Sequence, residues 1–177
     1  IEYSDPSVVN GQGEVVKAVA EGITVTIRPA TNPEVSGTFT LRTYDYINSI
    51  SIKDNAEKVR IPNSLYGKGH AAIYAAIMEQ VTILPTTAKQ ALTFDDWSDN
   101  VLTVSENIFS LNGATGLSYL TAHAFGNEGV FNVNVEVYAP VTKVVINEDP
   151  FDMLVGENVL KMFPNNFYFE PTDGTIS

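Results

Sequence analysis

Gly129 to Tyr138, G-V-F-N-V-N-V-E-V-Y, alternates apolar and polar side chains along its length. Successive side chains of an extended strand point to opposite faces. Phe131, Val133, Val135 and Val137 therefore fall on one face, and Asn132, Asn134 and Glu136 on the other. That is the pattern of a half-buried antiparallel strand, with one face on a core and the other in water. Working outward, the same alternation runs through Gly22 to Arg28 and Gly37 to Tyr44. Turn-forming clusters separate these runs: N-G-Q-G from Asn10, T-N-P from Thr31, S-D-N from Ser98, N-G-A-T-G from Asn112 and G-N-E-G from Gly126. Short strands punctuated by turns every ~8 to 12 residues predict an all-β sandwich or barrel. One segment departs from this pattern. His70 to Met78, H-A-A-I-Y-A-A-I-M, is Ala-rich and carries Ile73 and Ile77 at i, i+4, which suits a helix. Read as a strand, it runs on into Val81 to Leu84, and the residues leave both readings open.

The chain of 177 residues is 44% hydrophobic and 10% aromatic, enough for a packed core. Its 21 acidic and 10 basic residues give a net charge of -11. Such a surface repels phosphate, so neither nucleic acid nor an anionic membrane is an expected partner. No apolar run approaches the roughly 20 residues that cross a bilayer, so no membrane insertion is expected. Cysteine is absent, which excludes disulfides, thiol nucleophiles and cysteine-ligated metals. An acidic, cysteine-free chain rich in Asn, Thr and Val suits an exposed surface protein, and an acidic cytosolic protein has a similar composition. The opening I-E-Y-S-D has neither an initiator Met nor the regions of a signal peptide, so the chain is expected to start inside a longer polypeptide.

Internal similarity organises these runs. Tyr3-Ser4-Asp5 recurs as Trp97-Ser98-Asp99, a spacing of about 94 residues. Gly22 followed by Ile23, Val25 and Ile27 matches Gly116 followed by Leu117, Tyr119 and Thr121 at the same spacing. Gly37-Thr38-Phe39 matches Gly129-Val130-Phe131, and Ile47 to Ile52 matches Val141 to Ile146. Val81 to Thr86 matches Phe167 to Thr172 at a spacing about eight residues shorter, and the Ala-rich segment occupies the longer loop of the earlier copy. The chain thus reads as three pieces of a unit of about 90 residues. Residues 1–45 are the back half of one copy, 46–140 a complete copy, and 141–177 the front half of another. The seams Asp45-Tyr46 and Ala139-Pro140 are short links of the kind that stiffen an array.

The order of motifs resembles the bacterial immunoglobulin-like group 2 domain. The complete copy runs from I-N-S-I-S-I through V-T-I-L-P-T-T-A-K, L-T-F-D-D-W-S-D and V-L-T-V-S to G-A-T-G-L-S-Y-L-T-A and F-N-V-N-V-E-V. Glu2 to Val9 is similar to the family's W-S-S-S-D-P-S-V-A corner, and Leu154-Val155-Gly156-Glu157 stands at its L-x-V-G-E position. Two departures are a longer loop near Tyr66 to Ala76 and Tyr3 where Trp is commonest. The resemblance implies tandem immunoglobulin-like antiparallel β-sandwiches. In such a fold Trp97 and Tyr3 are expected as structural anchors, each ring worth roughly 2 to 3 kcal/mol when buried.

Candidate chemistry is sparse. Asp95, Asp96 and Asp99 surround the single tryptophan, and acids so grouped serve as a glycosidase pair, as calcium ligands, or as turn caps. The partial copy keeps Asp5 but has Ile1 and Glu2 where the complete copy has Asp95 and Asp96. Capping of backbone N–H groups therefore explains Asp99 and Asp5 more simply, and a weak calcium site is left as the expectation for Asp95 and Asp96. His70 and His123 lie far apart, with no G-x-S-x-G elbow, and Gly67-Lys68-Gly69-His70 lacks the spacing of a phosphate loop. Glu148 to Asp152 reads as a solvated turn at a seam, with a bound cation that stiffens the array as the alternative. The extended loop from Leu65 to Tyr74 offers Tyr66, Lys68, His70 and Tyr74 as a binding surface, or as packing against a neighbouring copy.

The expectation is a non-enzymatic spacer, decoration or adhesion module of a longer bacterial cell-surface or phage virion protein. Its partners would be other domains of the same polypeptide, a host-surface protein or glycan, or further copies in an oligomer or filament. The alternative is a carbohydrate-binding or accessory module of an extracellular enzyme, which requires an exposed aromatic platform from Tyr66, Tyr74, Tyr119 or Tyr138.

Overall fold

The computed structural model describes residues 1–96, 101–127, 129–147, 152–155 and 167–171. Strands dominate it. In chain order they are β1 (Glu2–Tyr3), β2 (Val19–Ile27), β3 (Gly37–Thr43), β4 (Ser49–Ile52), β5 (Val59–Pro62), β6 (Val81–Leu84), β7 (Leu92–Asp96), β8 (Leu102–Ser105), β9 (Ile108–Leu111), β10 (Gly116–Ala124), β11 (Val130–Tyr138), β12 (Lys143–Ile146) and β13 (Phe167–Glu170). Helix α1 (His70–Met78) lies between β5 and β6. The sheets are small and open: β1-β2-β3, β5-β11-β10-β7, and the pairs β4-β6, β8-β9 and β12-β13. The chain is therefore mostly β. No helix among the described residues is long and apolar enough to cross a membrane.

Two compact units divide the chain. The first comprises Ile1–Asn55, Val81–Phe94 and Ala122–Phe131, and the second Ala56–Gln80, Asp95–Thr121 and Asn132–Ser177.

In the first unit, β2 pairs antiparallel with both β1 and β3. Val8, Val9, Ile23 and Val25 form a buried cluster, against which Tyr3, Val19 and Leu41 pack. Tyr3 thus sits against a core, half-buried. The register of β2 against β3 shifts between Val19 and Ile23. Gly22 lies in that shift with φ +89°, and a Cβ there would stand 2.6 Å from Thr40 Cγ2. Both features call for glycine at this position. Buried Thr43 ties the far end of β3, accepting from the Val19 N–H (2.9 Å) and donating to Lys17 O (2.7 Å).

In the second unit, α1 buries Ile73 and Ile77 and packs against β5 and β9. This settles the ambiguous Ala-rich segment as a helix, with the i, i+4 isoleucines as its inner stripe. Val59, Ile61, Leu102, Phe109 and Leu120 are also buried in this unit. The β8–β9 hairpin turns through Glu106 and Asn107, both at positive φ (49° and 61°), as expected of a two-residue turn whose twist matches its strands. β5 runs parallel to β11, Val59 opposite Val135 and Ile61 opposite Val137. The outward edge of β5 is closed by one side chain. Gln80 accepts from the Arg60 N–H (2.9 Å) and donates to Arg60 O (2.8 Å) and Ala76 O (3.0 Å), standing in for a neighbouring strand and satisfying a carbonyl of the last helical turn.

The alternation read in β11 holds for Val133, Val135 and Val137, which are buried, whereas Phe131 is only half-buried. In β10 the match to β2 needs correction by one residue. Ile23 and Val25 face a core, but the matched Leu117 and Tyr119 do not, and Ser118, Leu120, Ala122 and Ala124 are buried instead. The inward face of β10 carries small and polar side chains, so hydrophobicity alone picks the wrong face, and a one-residue slip exchanges the two. Ser118 is tolerated inside because its hydroxyl accepts from the Leu102 N–H at 3.0 Å.

Two strand pairs share one pattern. In β4-β6, Ser49 lies opposite Leu84 and Ile52 opposite Val81, and the Asn48 N–H donates to Leu84 O at 2.8 Å. In β12-β13, Lys143 lies opposite Glu170 and Ile146 opposite Phe167, and the Thr142 N–H donates to Glu170 O at 2.8 Å. Each pair ends at a cis X–Pro bond, Leu84-Pro85 and Glu170-Pro171. The sheet order β1-β2-β3 likewise parallels the run β7-β10-β11.

Candidate functional site

In the first unit, the chain between β3 and β4 is held at both ends by buried Thr43 and Ile47. Between them Asp45 is tied to the segment after β6: its N–H donates to Thr87 O (3.3 Å), and its carboxylate accepts from the Thr87 hydroxyl. Tyr46 is left projecting, with 79% of its surface exposed. Facing it is the turn from Ala124 to Asn127, closed by the Asn127 N–H to Ala124 O bond at 3.3 Å. Ala124 is buried, Gly126 takes φ +74°, and Phe125 stands out with 58% exposed. The Asn127 side chain joins the two segments, donating to Ile47 O (3.3 Å) while accepting from the Gly129 N–H (2.7 Å).

Three aromatic side chains meet here. The Tyr44 and Phe125 rings are edge-to-face, with centroids 6.0 Å apart. A Cβ on Gly126 would stand 3.9 Å from Tyr46 Cδ1, so the Tyr46 ring runs beside glycine backbone. The Lys89 ammonium lies 4.8 Å from the Phe125 centroid, a cation–π geometry that holds the cation above the ring. Phe125 separates two open depressions. One, about 350 Å³, is bounded by Val15, Tyr44, Asp45, Tyr46 and Gly126. The other, about 240 Å³, is bounded by Lys89, Leu92, Thr93, His123 and Ala124. Tyr46 and Phe125 leave apolar ring area in water, which a partner would cover. The groups present can stack, donate hydrogen bonds and pair with charge.

The second unit carries a groove of about 270 Å³. There Glu136 is bonded by Arg60 Nε (2.9 Å) and paired with Lys58 Nζ (3.2 Å), while the Arg60 guanidinium lies 4.8 Å from the Tyr138 centroid. These charges are engaged with one another, which makes the groove a structural clasp between β5 and β11.

The residues picked out from sequence are placed as follows. Tyr66 and Lys68 are exposed, with the Tyr66 ring over Gly113, where a Cβ would stand 3.4 Å from its Cγ. His70 and Tyr74 turn inward. The His70 ring stacks on Phe109 (5.6 Å, 11° between planes), Tyr74 lies 5.7 Å from His70, and His70 Nδ1 accepts from the Phe109 N–H at 3.1 Å. The four are therefore not one open surface. Asp95 is exposed in β7, and Asp96 follows it as the last residue of that strand. Among the described residues, no group of three or more His, Asp or Glu side chains converges as a metal site would require. Trp97, Ser98, Asp99 and residues 148–151 lie outside the described residues. Asp5 does cap its turn: it accepts from the Ser7 hydroxyl (2.6 Å) and the Ser7 N–H (3.0 Å) and pairs with Lys17 Nζ at 3.5 Å. The Ser7 bonds foremost, with Lys17 adding to them, hold its carboxyl below the usual aspartate value of 3.8.

Tyr44, Tyr46, Phe125 and Lys89 escaped the sequence reading. A signal existed: Tyr46 puts a ring into the link just after the alternating run that ends at Tyr44, and Phe125 is a large apolar residue between Ala124 and Gly126 in a turn. Comparison of the chain with protein-family models, curated proteins and solved structures finds no match.

Proposed function

We propose that this chain is built of tandem immunoglobulin-like β-sandwich modules, similar to the group 2 bacterial domain, and belongs to a longer bacterial cell-surface or phage virion protein. Its work is non-enzymatic: spacing, decoration or adhesion outside the cell, with neighbouring domains of the same polypeptide as its first partners. The observation that carries the reading is the shared pairing pattern of β4-β6 and β12-β13, together with the parallel between β1-β2-β3 and β7-β10-β11. Similar sequences can reproduce a hydrophobic pattern by chance. A common register with a common hydrogen bond beside it is a stronger constraint, since register depends on both faces of a strand.

A circular permutant tests the half-copies. On this reading Ser177 corresponds to about Ala91 and Ile1 to Asp95, so joining them through Leu-Thr-Phe, as in Leu92 to Phe94, completes a module from residues 141–177 and 1–45. Opened before Tyr46, the permutant is expected to show slowed amide exchange across Lys143 to Ile146 relative to the parent chain. Unchanged exchange there, or loss of the β1-β2-β3 pairing, would defeat the half-copy reading.

The accessory-module alternative is favoured by one observation, the exposed rings of Tyr46 and Phe125 beside half-buried Tyr44; of the tyrosines expected from sequence, Tyr66 and Tyr119 are exposed as well. Adhesion and accessory binding share this requirement.

A further inference from the structure

The first unit exposes aromatic rings beside a cation on a chain that is otherwise strongly acidic. Acidic residues outnumber basic ones 21 to 10, yet the depression on the β7 side of Phe125 is bounded by Lys89 and His123 and by no Asp or Glu. Lys89 is pre-positioned there over the Phe125 ring. A local cation within an acidic surface selects an anion at short range. At longer range the net charge of -11 repels polyanions, so a ligand bearing one isolated charge is favoured over nucleic acid or a polyphosphate.

Shape narrows the class further. The two depressions, about 240 and 350 Å³, are open and lie below and at the low end of the roughly 300 to 1,000 Å³ of pockets that bury drug-sized ligands. Each suits one six-membered ring lying flat. Pyranose rings are amphipathic, with C–H faces that stack on aromatic rings and hydroxyls at the rim. The rim here supplies the Asp45 carboxylate on one side and the Thr93 hydroxyl and His123 imidazole on the other. Asn127 holds the Phe125 turn against the Tyr46 segment, so the two depressions keep a constant spacing.

We propose that the Tyr46–Phe125 surface binds an acidic saccharide, one sugar ring stacking on Tyr46 and an adjoining uronic or sialic acid carboxylate pairing with the Lys89 ammonium. This deepens the adhesive reading and rests on it for its biological setting. Binding and module completion are nevertheless measured independently, so failure here leaves the permutant result intact.

The test is calorimetric titration of the 177-residue chain at low salt with galacturonosyl-galactose and sialyllactose, each bearing one carboxylate, beside their neutral counterparts digalactose and lactose. At least one acidic ligand should bind at least about tenfold more tightly than its neutral partner. Tyr46→Ala, a substitution at an exposed ring, should weaken binding about tenfold or more without moving the melting curve. Lys89→Gln should erase the preference for acid over neutral, whereas Lys53→Gln, which removes a cation elsewhere, should leave it. No binding of either acidic sugar, equal binding of the neutral ones, indifference to Tyr46→Ala, or capture of a proline-rich peptide by the same rings in place of sugar would each overturn the proposal.

Discussion

Replacing Gln80 by Met keeps the length and volume of the side chain and removes its three hydrogen bonds to backbone. Two of these go to Arg60, at 2.9 Å and 2.8 Å, and one to Ala76 O at 3.0 Å. A net intramolecular hydrogen bond is worth about 0.5 to 1.5 kcal/mol, and a buried donor left without a partner costs about 1 to 3 kcal/mol. Arg60 is on the edge strand and its backbone bonds to Gln80 are only partly buried, so water partly replaces the lost partners and the lower end applies. The expected loss is about 2 kcal/mol. Gln80→Glu should be at least as harmful: it keeps the acceptor for the Arg60 N–H but sets a carboxylate oxygen against two carbonyls. The assay is residue-resolved amide exchange. The Arg60 N–H should exchange about thirtyfold faster in Gln80→Met, with a matching fall in the urea midpoint of the second unit. An Arg60 amide as protected as in the parent chain would refute the view that one side chain closes the edge of β5.

Three further outcomes follow from particular contacts. Gly22→Ala should cost about 1 to 3 kcal/mol, because φ +89° and a 2.6 Å approach to Thr40 both oppose a Cβ, while Gly37→Ala, where nothing lies within 4 Å, should be near neutral by thermal melting. His70→Asn should retain an acceptor for the Phe109 N–H and His70→Leu should not, the two differing by about 1 to 2 kcal/mol in urea denaturation. Asp5 has a folded pKa below its ordinary 3.8, so its contribution is present above that value and is lost as pH falls through the folded value. The stability difference between the parent chain and Asp5→Ala should therefore be constant near neutrality and shrink only below about pH 3.8, and a difference that persists undiminished into strong acid would contradict the capping role.

What was legible in sequence was whatever a local period encodes. Strand β11 reads correctly at Val133, Val135 and Val137, and the i, i+4 spacing of Ile73 and Ile77 marks the buried stripe of α1. The capping role of Asp5 was legible too, since an acid two residues before Ser7 can reach that N–H within one turn. Where the inner face carries small or polar residues, as Ser118, Ala122 and Ala124 do in β10, the period survives but its phase is lost.

Sequence alone thus determined a mostly β chain and its acidic, cysteine-free composition, because propensity, periodicity and charge are properties of neighbours along the chain. Only the tertiary structure brought Tyr44 and Tyr46 beside Phe125 and placed Lys89 over that ring, across gaps of some 35 to 80 residues. It alone turned His70 and Tyr74 inward on Phe109 and set Gln80 against the edge of β5. Those contacts depend on how strands fold back over one another, and no short window of sequence contains both partners.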